Sequence, residues 1–146
     1  KENGIMLMAD ESACSLNDVK RITRAGYCNM INVRLSKCGG FRKSLDIIDY
    51  LRSNSIQFQI GCHLGESGIL SAAGRALCLL CRDAVSFDGS YDEYLLKENT
   101  THQDVSFGLR GNAGPLNGPG LGVDINFHSL KGLCHDAEIV TIVNPN

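Results

Sequence analysis

Along residues 1–98 the apolar positions switch repeatedly between an unbroken run and a helical spacing. Residues 5–9 are apolar throughout and bounded by polar neighbours, the pattern of a short strand buried on both faces. Ser15 and Asp18 follow, three apart like a capping box, and Leu16, Val19, Ile22 and Ala25 keep helical spacing until Gly26 stops them. The same order then returns. Residues 30–35 read as a strand, Gly39 and Gly40 break the chain, and Leu45, Ile48 and Leu51 line one face of a helix over 41–54. Residues 56–62 read as a third strand, 68–81 as an apolar helix, and 84–87 as a fourth strand ending at Asp88. Strands starting at 5, 30, 56 and 84 leave room for a right-handed helical crossover each time, so the pattern predicts a parallel α/β sheet.

From residue 99 the character changes. Gly111, Gly114, Gly118, Gly120 and Gly122, with Pro115 and Pro119, break any long element, so loops and short strands are expected there. The β-branched stretch 139–143 suggests an edge strand or an extension. The chain thus divides into βα units over 1–98 and an irregular segment over 99–146.

Composition narrows the function classes. A hydrophobic share of 43% with 21% charged residues is ordinary for a folded globular chain. The net charge of −2 provides no basic field for nucleic acid. The longest apolar runs, at 5–9 and 76–81, fall far short of the ~20 residues a membrane span needs. Seven cysteines, an odd number without a regular framework, suit a reducing cytoplasm. Cys78 and Cys81 fall on one face of a helix and read as buried structural thiols, because no second ligand pair has matching spacing for zinc. The chain begins Lys1-Glu2-Asn3-Gly4 without an initiator methionine and reaches a strand at once, so a fragment of a longer protein is expected. A doubly wound nucleotide-binding domain ranks low, since no GxGxxG follows a strand.

Parallel α/β sheets bind ligands outside the carboxyl ends of their strands. Those ends carry Asp10 and Glu11, then Arg34 and Lys37, then His63 and Glu66, and finally Asp88. Element ends also collect ordinary solvated charges, and on the isolated string Asp10 and Glu11 read better as solvated turn residues before a capped helix. His102, His128 and His135 show no convergent spacing and read as surface histidines.

The ordered strings MADES, NVRLSKCGG, GCHLGESG and GPGLGVDIN, spanning about residues 4–126, resemble the muconate cycloisomerase, mandelate racemase and dipeptide epimerase branches of the enolase superfamily. The resemblance implies the C-terminal half of a (β/α) TIM-type barrel. It implies an Mg²⁺ site made by carboxylates at successive strand ends, with Asp10 as the third ligand and Glu11 close behind it. It further implies an isomerase or lyase that abstracts the proton α to a carboxylate, for racemisation, epimerisation, cycloisomerisation or dehydration. Where cycloisomerases and dipeptide epimerases carry a lysine base, this chain has Arg34, whose guanidinium stays charged and suits carboxylate binding or charge stabilisation instead. Lys37 keeps the lysine of the KxGG motif, where Gly39 and Gly40 would let backbone approach an anion at a helix start; a solvated lysine is the equal alternative. His63 aligns with a catalytic histidine of mandelate-racemase-like relatives, although the aspartate that partners it there is again replaced by Arg34. An adjacent guanidinium would favour its neutral, proton-accepting form; a structural histidine is the competing reading. Glu66 and Asp88 fall near substrate-facing positions. The implied partners are a small carboxylate substrate and the missing N-terminal half of the enzyme, or another copy of it, in a homo-oligomer, with the fragment alone inactive. Arg34 also admits a degenerate relative that binds a carboxylate without turning it over.

Overall fold

A computed structural model describes residues 4–90 and 92–133. In chain order the elements are β1 (Met8–Ala9), α1 (Leu16–Arg24), β2 (Met30–Arg34), α2 (Leu35–Cys38), α3 (Phe41–Ser53), β3 (Gln57–Gly61), α4 (Gly68–Leu80), β4 (Ser86–Phe87), α5 (Asp92–Leu95), a single 3-10 turn (Leu109–Gly111) and α6 (Phe127–Leu133). The strands make one sheet in the order β1-β2-β3-β4, every neighbouring pair parallel. This is the expected βα succession, an open parallel sheet of the kind expected for one half of a (β/α) barrel.

Local chemistry explains the element starts. The Ser15 hydroxyl accepts from the Asp18 amide at 3.2 Å and donates to the Asp18 carboxylate at 2.6 Å, so the cap that opens α1 is satisfied from both sides. Val19 and Ile22 then turn inward. Gly39 and Gly40 have φ of 85° and 87°, and both amides return to the Leu35 carbonyl, which ends α2 after one turn. Ile47, Ile48 and Leu51 of α3 meet Ile31, Val33, Phe58 and Ile60 of the sheet, and Leu77 of α4 and Cys81 just after it close the core.

Three expectations need correction. The run 5–9 is not a fully buried strand: only Met8 and Ala9 join the sheet, and Ile5, Met6 and Leu7 are exposed. A parallel strand is covered on both faces only inside a sheet, and β1 has β2 alone beside it among the described residues. Leu35, read as the last residue of the second strand, instead opens the single-turn helix α2. Among the described residues, the tail contains α6 and one isolated antiparallel bridge, Thr101 to Ile125, in place of short strands. Residues 139–143 and His135 lie outside the described residues, while His102 and His128 are exposed as expected. Among the described residues no helix is long and apolar enough to cross a membrane.

The tail is moored to α4. Arg75, only 8% exposed, donates to the carbonyls of Val105, Gly114 (2.8 Å) and Ser106 (3.5 Å), and its guanidinium lies 5.3 Å from the Phe107 ring centre. At the other end of the helix the Gly68 amide donates to Asn99 Oδ1 at 2.6 Å, and buried Asp92 accepts from Ser71 and Asn99.

Candidate functional site

The carboxyl ends of β1 and β2 converge on one carboxylate. Asp10 Oδ2 accepts from the Arg34 guanidinium and from Asn32 Nδ2 at 3.1 Å, and Asp10 Oδ1 accepts from Lys37 Nζ at 3.0 Å. Arg34 also reaches Glu11 Oε1 at 3.3 Å. Two carboxylates and two cations therefore form one linked cluster. Burial is uneven within it: the Lys37 side chain is 4% exposed and that of Glu11 79%, so Lys37 belongs to the interior and Glu11 to the rim.

Chain geometry produces this convergence. Asn32 and Arg34 are two apart on β2 and point to the same face. The register sets Arg34 opposite Gly61, and an added Cβ at Gly61 would overlap Asn32 Oδ1. The missing side chain at Gly61 thus makes the space in which Asn32 turns toward Asp10. Asn32 escaped the sequence reading. The signal was there: a lone amide between Ile31 and Val33 in a strand buried at each of its first four positions requires a partner.

The remaining candidates sit one strand further on. Glu66 is buried, and its Oε1 accepts the His63 amide at 2.6 Å and the Ser36 hydroxyl at 3.3 Å, tying the loop after β3 to α2. The His63 ring is exposed, and among the described residues it makes no side-chain hydrogen bond. Asp88 follows β4, its amide bonded to the Ile60 carbonyl at 2.9 Å, and it shares a lining with Cys62, Glu66 and Ser90. Burial, then the negative charges of Asp88 and Glu66, push the Cys62 thiol up to about 11. Arg34 is turned toward β1, where its hydrogen bonds are made to Asp10 and Glu11. Cys78 is also raised to about 11, chiefly by burial, which suits a structural thiol.

The Mg²⁺ expectation can be tested against these donors. Magnesium takes hard oxygen ligands in octahedral array at about 2.0–2.1 Å. Asp10 Oδ2 is filled by Arg34 and Asn32, but Oδ1 takes only Lys37 and keeps a lone pair directed from a rigid strand end. That is a fit for one ligand. Among the described residues no three of His, Cys, Asp or Glu gather closely enough to hold an ion, so further ligands have to come from elsewhere.

Comparison with known proteins bears on the whole arrangement. Residues 1–129 match the family described as enolase C-terminal domain-like. An o-succinylbenzoate synthase of Bacillus subtilis is 32% identical over 132 residues, covering 90% of this chain and 35% of its own length. A muconate cycloisomerase of Rhodococcus opacus is 28% identical, covering 87% and 34%. The crystal structure of a dipeptide epimerase from Cytophaga hutchinsonii, complexed with Mg and the dipeptide D-Ala-L-Val, superposes with a TM-score of 0.77 at 25% identity, covering 88% of this chain and 34% of its own. The chain spans about a third of the length of these relatives.

Proposed function

We propose, starting from a chain that belongs to the enolase C-terminal domain-like family, that it supplies half of a barrel whose mouth binds Mg²⁺ and a small carboxylate and exchanges the proton α to that carboxylate. Its relatives are isomerases and lyases: epimerases, a racemase and a cycloisomerase among them. The observation that carries the proposal is the Asp10 carboxylate, fixed at a strand end with one lone pair to spare. The other half of the site would come from the preceding part of the same enzyme or from a second copy, in a homo-oligomer, and the piece alone would be inactive. Seven cysteines without a regular framework favour a reducing compartment, the cytoplasm.

Each residue then has a task. Asp10 is the metal ligand of this half, and Mg²⁺ when bound would neutralise charge developing on the substrate carboxylate. Arg34 cannot act as a general base, because its guanidinium holds its proton at any ordinary pH. Its planar donors instead suit a substrate carboxylate, with Glu11 and Asp10 holding it at the rim. His63 is the candidate base: its exposed ring would take the α-proton on a neutral nitrogen and become imidazolium, leaving the electron pair on the substrate. Glu66 sets the loop that carries His63, and Asp88 lines a small cavity together with Glu66 and Cys62.

Deuterium exchange at the α-carbon of acyl amino acids, dipeptides and hydroxy acids, run with Mg²⁺ on the full-length protein, is the direct test. Exchange that vanishes in His63→Asn is the expected result; exchange unchanged in that variant removes His63 from the mechanism. Arg34 supports a second reading, a carboxylate binder without turnover. Tight Mg²⁺ and carboxylate binding with no exchange on any substrate class would select it.

A further inference from the structure

We propose that Lys37 is a positioning residue that aims Asp10, and takes no part in binding substrate or carrying protons. The inference rests on the reading of Asp10 as a metal ligand. A lysine ammonium has three protons, and three acceptors surround this one: the Asp10 carbonyl at 2.7 Å, Asp10 Oδ1 at 3.0 Å and the Asn32 carbonyl at 2.7 Å. No proton is left for a ligand. The side chain is 4% exposed, so a substrate anion has no path to it.

The placement gives the contacts their purpose. The paired register between β1 and β2 ends at Ala9 and Ile31, one residue short of both carbonyls that Lys37 holds. Lys37 comes from α2, the one-turn helix closed by Gly39, and reaches back over the sheet end to cross-link the two strands where their ladder stops. Because it grips the main-chain oxygen and one carboxylate oxygen of the same residue, it restrains the Asp10 side-chain torsions. Oδ2 is then presented to Arg34 and Asn32. Such supporting contacts around a metal ligand typically change metal affinity by about 10–100-fold when removed.

Two roles for Lys37 predict opposite signs. If it served only as positive charge beside the ligand, removing it would tighten binding of a divalent cation. If it aims the carboxylate, removing it weakens binding. Mn²⁺ is the probe, titrated into the full-length protein and followed by electron paramagnetic resonance, in wild type, Asp10→Asn, Lys37→Met and Lys37→Arg, with thermal unfolding to confirm that each folds. The expected outcome is a loss of affinity of about 10-fold or more in Lys37→Met, an altered zero-field splitting of bound Mn²⁺, and no rescue by Lys37→Arg, whose flat fork cannot reproduce three convergent bonds. Wild-type or tighter affinity in Lys37→Met, or full rescue by Lys37→Arg, overturns the inference. Unchanged Mn²⁺ binding in Asp10→Asn is a different failure and defeats the metal reading itself. In that case a crystal structure of Lys37→Met decides the positioning role: a displaced Asp10 carboxylate upholds it, and an undisturbed one ends it.

Discussion

Replacing Arg75 by methionine would test whether the irregular tail is held to the barrel half by one side chain. Methionine keeps most of the aliphatic stem and removes the guanidinium, so the packing of α4 is largely retained. What is lost is a charged hydrogen bond to Val105, another to Gly114, a weaker one to Ser106, and the stack on Phe107. Hydrogen bonds to charged groups contribute about 1.5–3 kcal/mol each, and a partly desolvated cation–π contact adds about 1 kcal/mol. Burial opposes part of this gain and pushes the Arg75 guanidinium down from its ordinary range. The net is about 3–5 kcal/mol, which on the scale of tenfold per 1.4 kcal/mol is roughly a 10²- to 4 × 10³-fold rise in opening of the tail. Hydrogen–deuterium exchange by mass spectrometry reads it directly. The His102 amide, bonded to Asp124, and the Asn126 amide, bonded to Thr100, are the reporters, and peptides from β2 are the control. Faster exchange confined to residues 100–126 is expected. Unchanged exchange there, or equal acceleration in β2, would refute the idea of a local mooring.

Gly61→Ala should destabilise by about 1–3 kcal/mol through overpacking against Asn32, lowering the melting temperature and weakening Mn²⁺ binding together; an unshifted melting curve would contradict the close approach at that site. The thiols of Cys62 and Cys78 provide a pH window. Their folded values are about 11 against an ordinary 9.0, so the stability tied to the protonated thiols is whole below pH 9 and is lost as pH climbs toward about 11. Denaturant midpoints measured across that range should fall, and the fall should be smaller in a Cys62→Ala, Cys78→Ala double variant.

The sequence showed some layers of this molecule and concealed others, for physical reasons. Helices α1, α3 and α4 were readable because a cap or glycine marks their ends and their apolar spacing repeats over several turns. The one-turn α2 was hidden, since four residues are too few to show a period. The extent of β1 was misjudged because an apolar run reports hydrophobicity but says nothing of how many neighbours a strand has. At the site, strand-end logic grouped Asp10, Glu11, Arg34 and Lys37, and the structure finds them bonded together, with Lys37 in the interior and Glu11 at the rim. The depth of Lys37 was not legible, because burial depends on the fold of a helix that the pattern did not reveal. Glu66 was expected to face substrate, yet its buried oxygen holds the loop backbone at His63, a short-range contact that no spacing rule encodes.

The interlock between Asn32 and Gly61 has a consequence for how this chain can change over time. A side chain gained at 61 would take the volume the amide now occupies, so position 61 cannot gain bulk freely while asparagine stays at 32. Substitution there should proceed by paired steps, a smaller residue at 32 preceding any bulk at 61. A library randomised at both codons and selected for folding should return them correlated, with alanine or larger at 61 depleted wherever asparagine is kept.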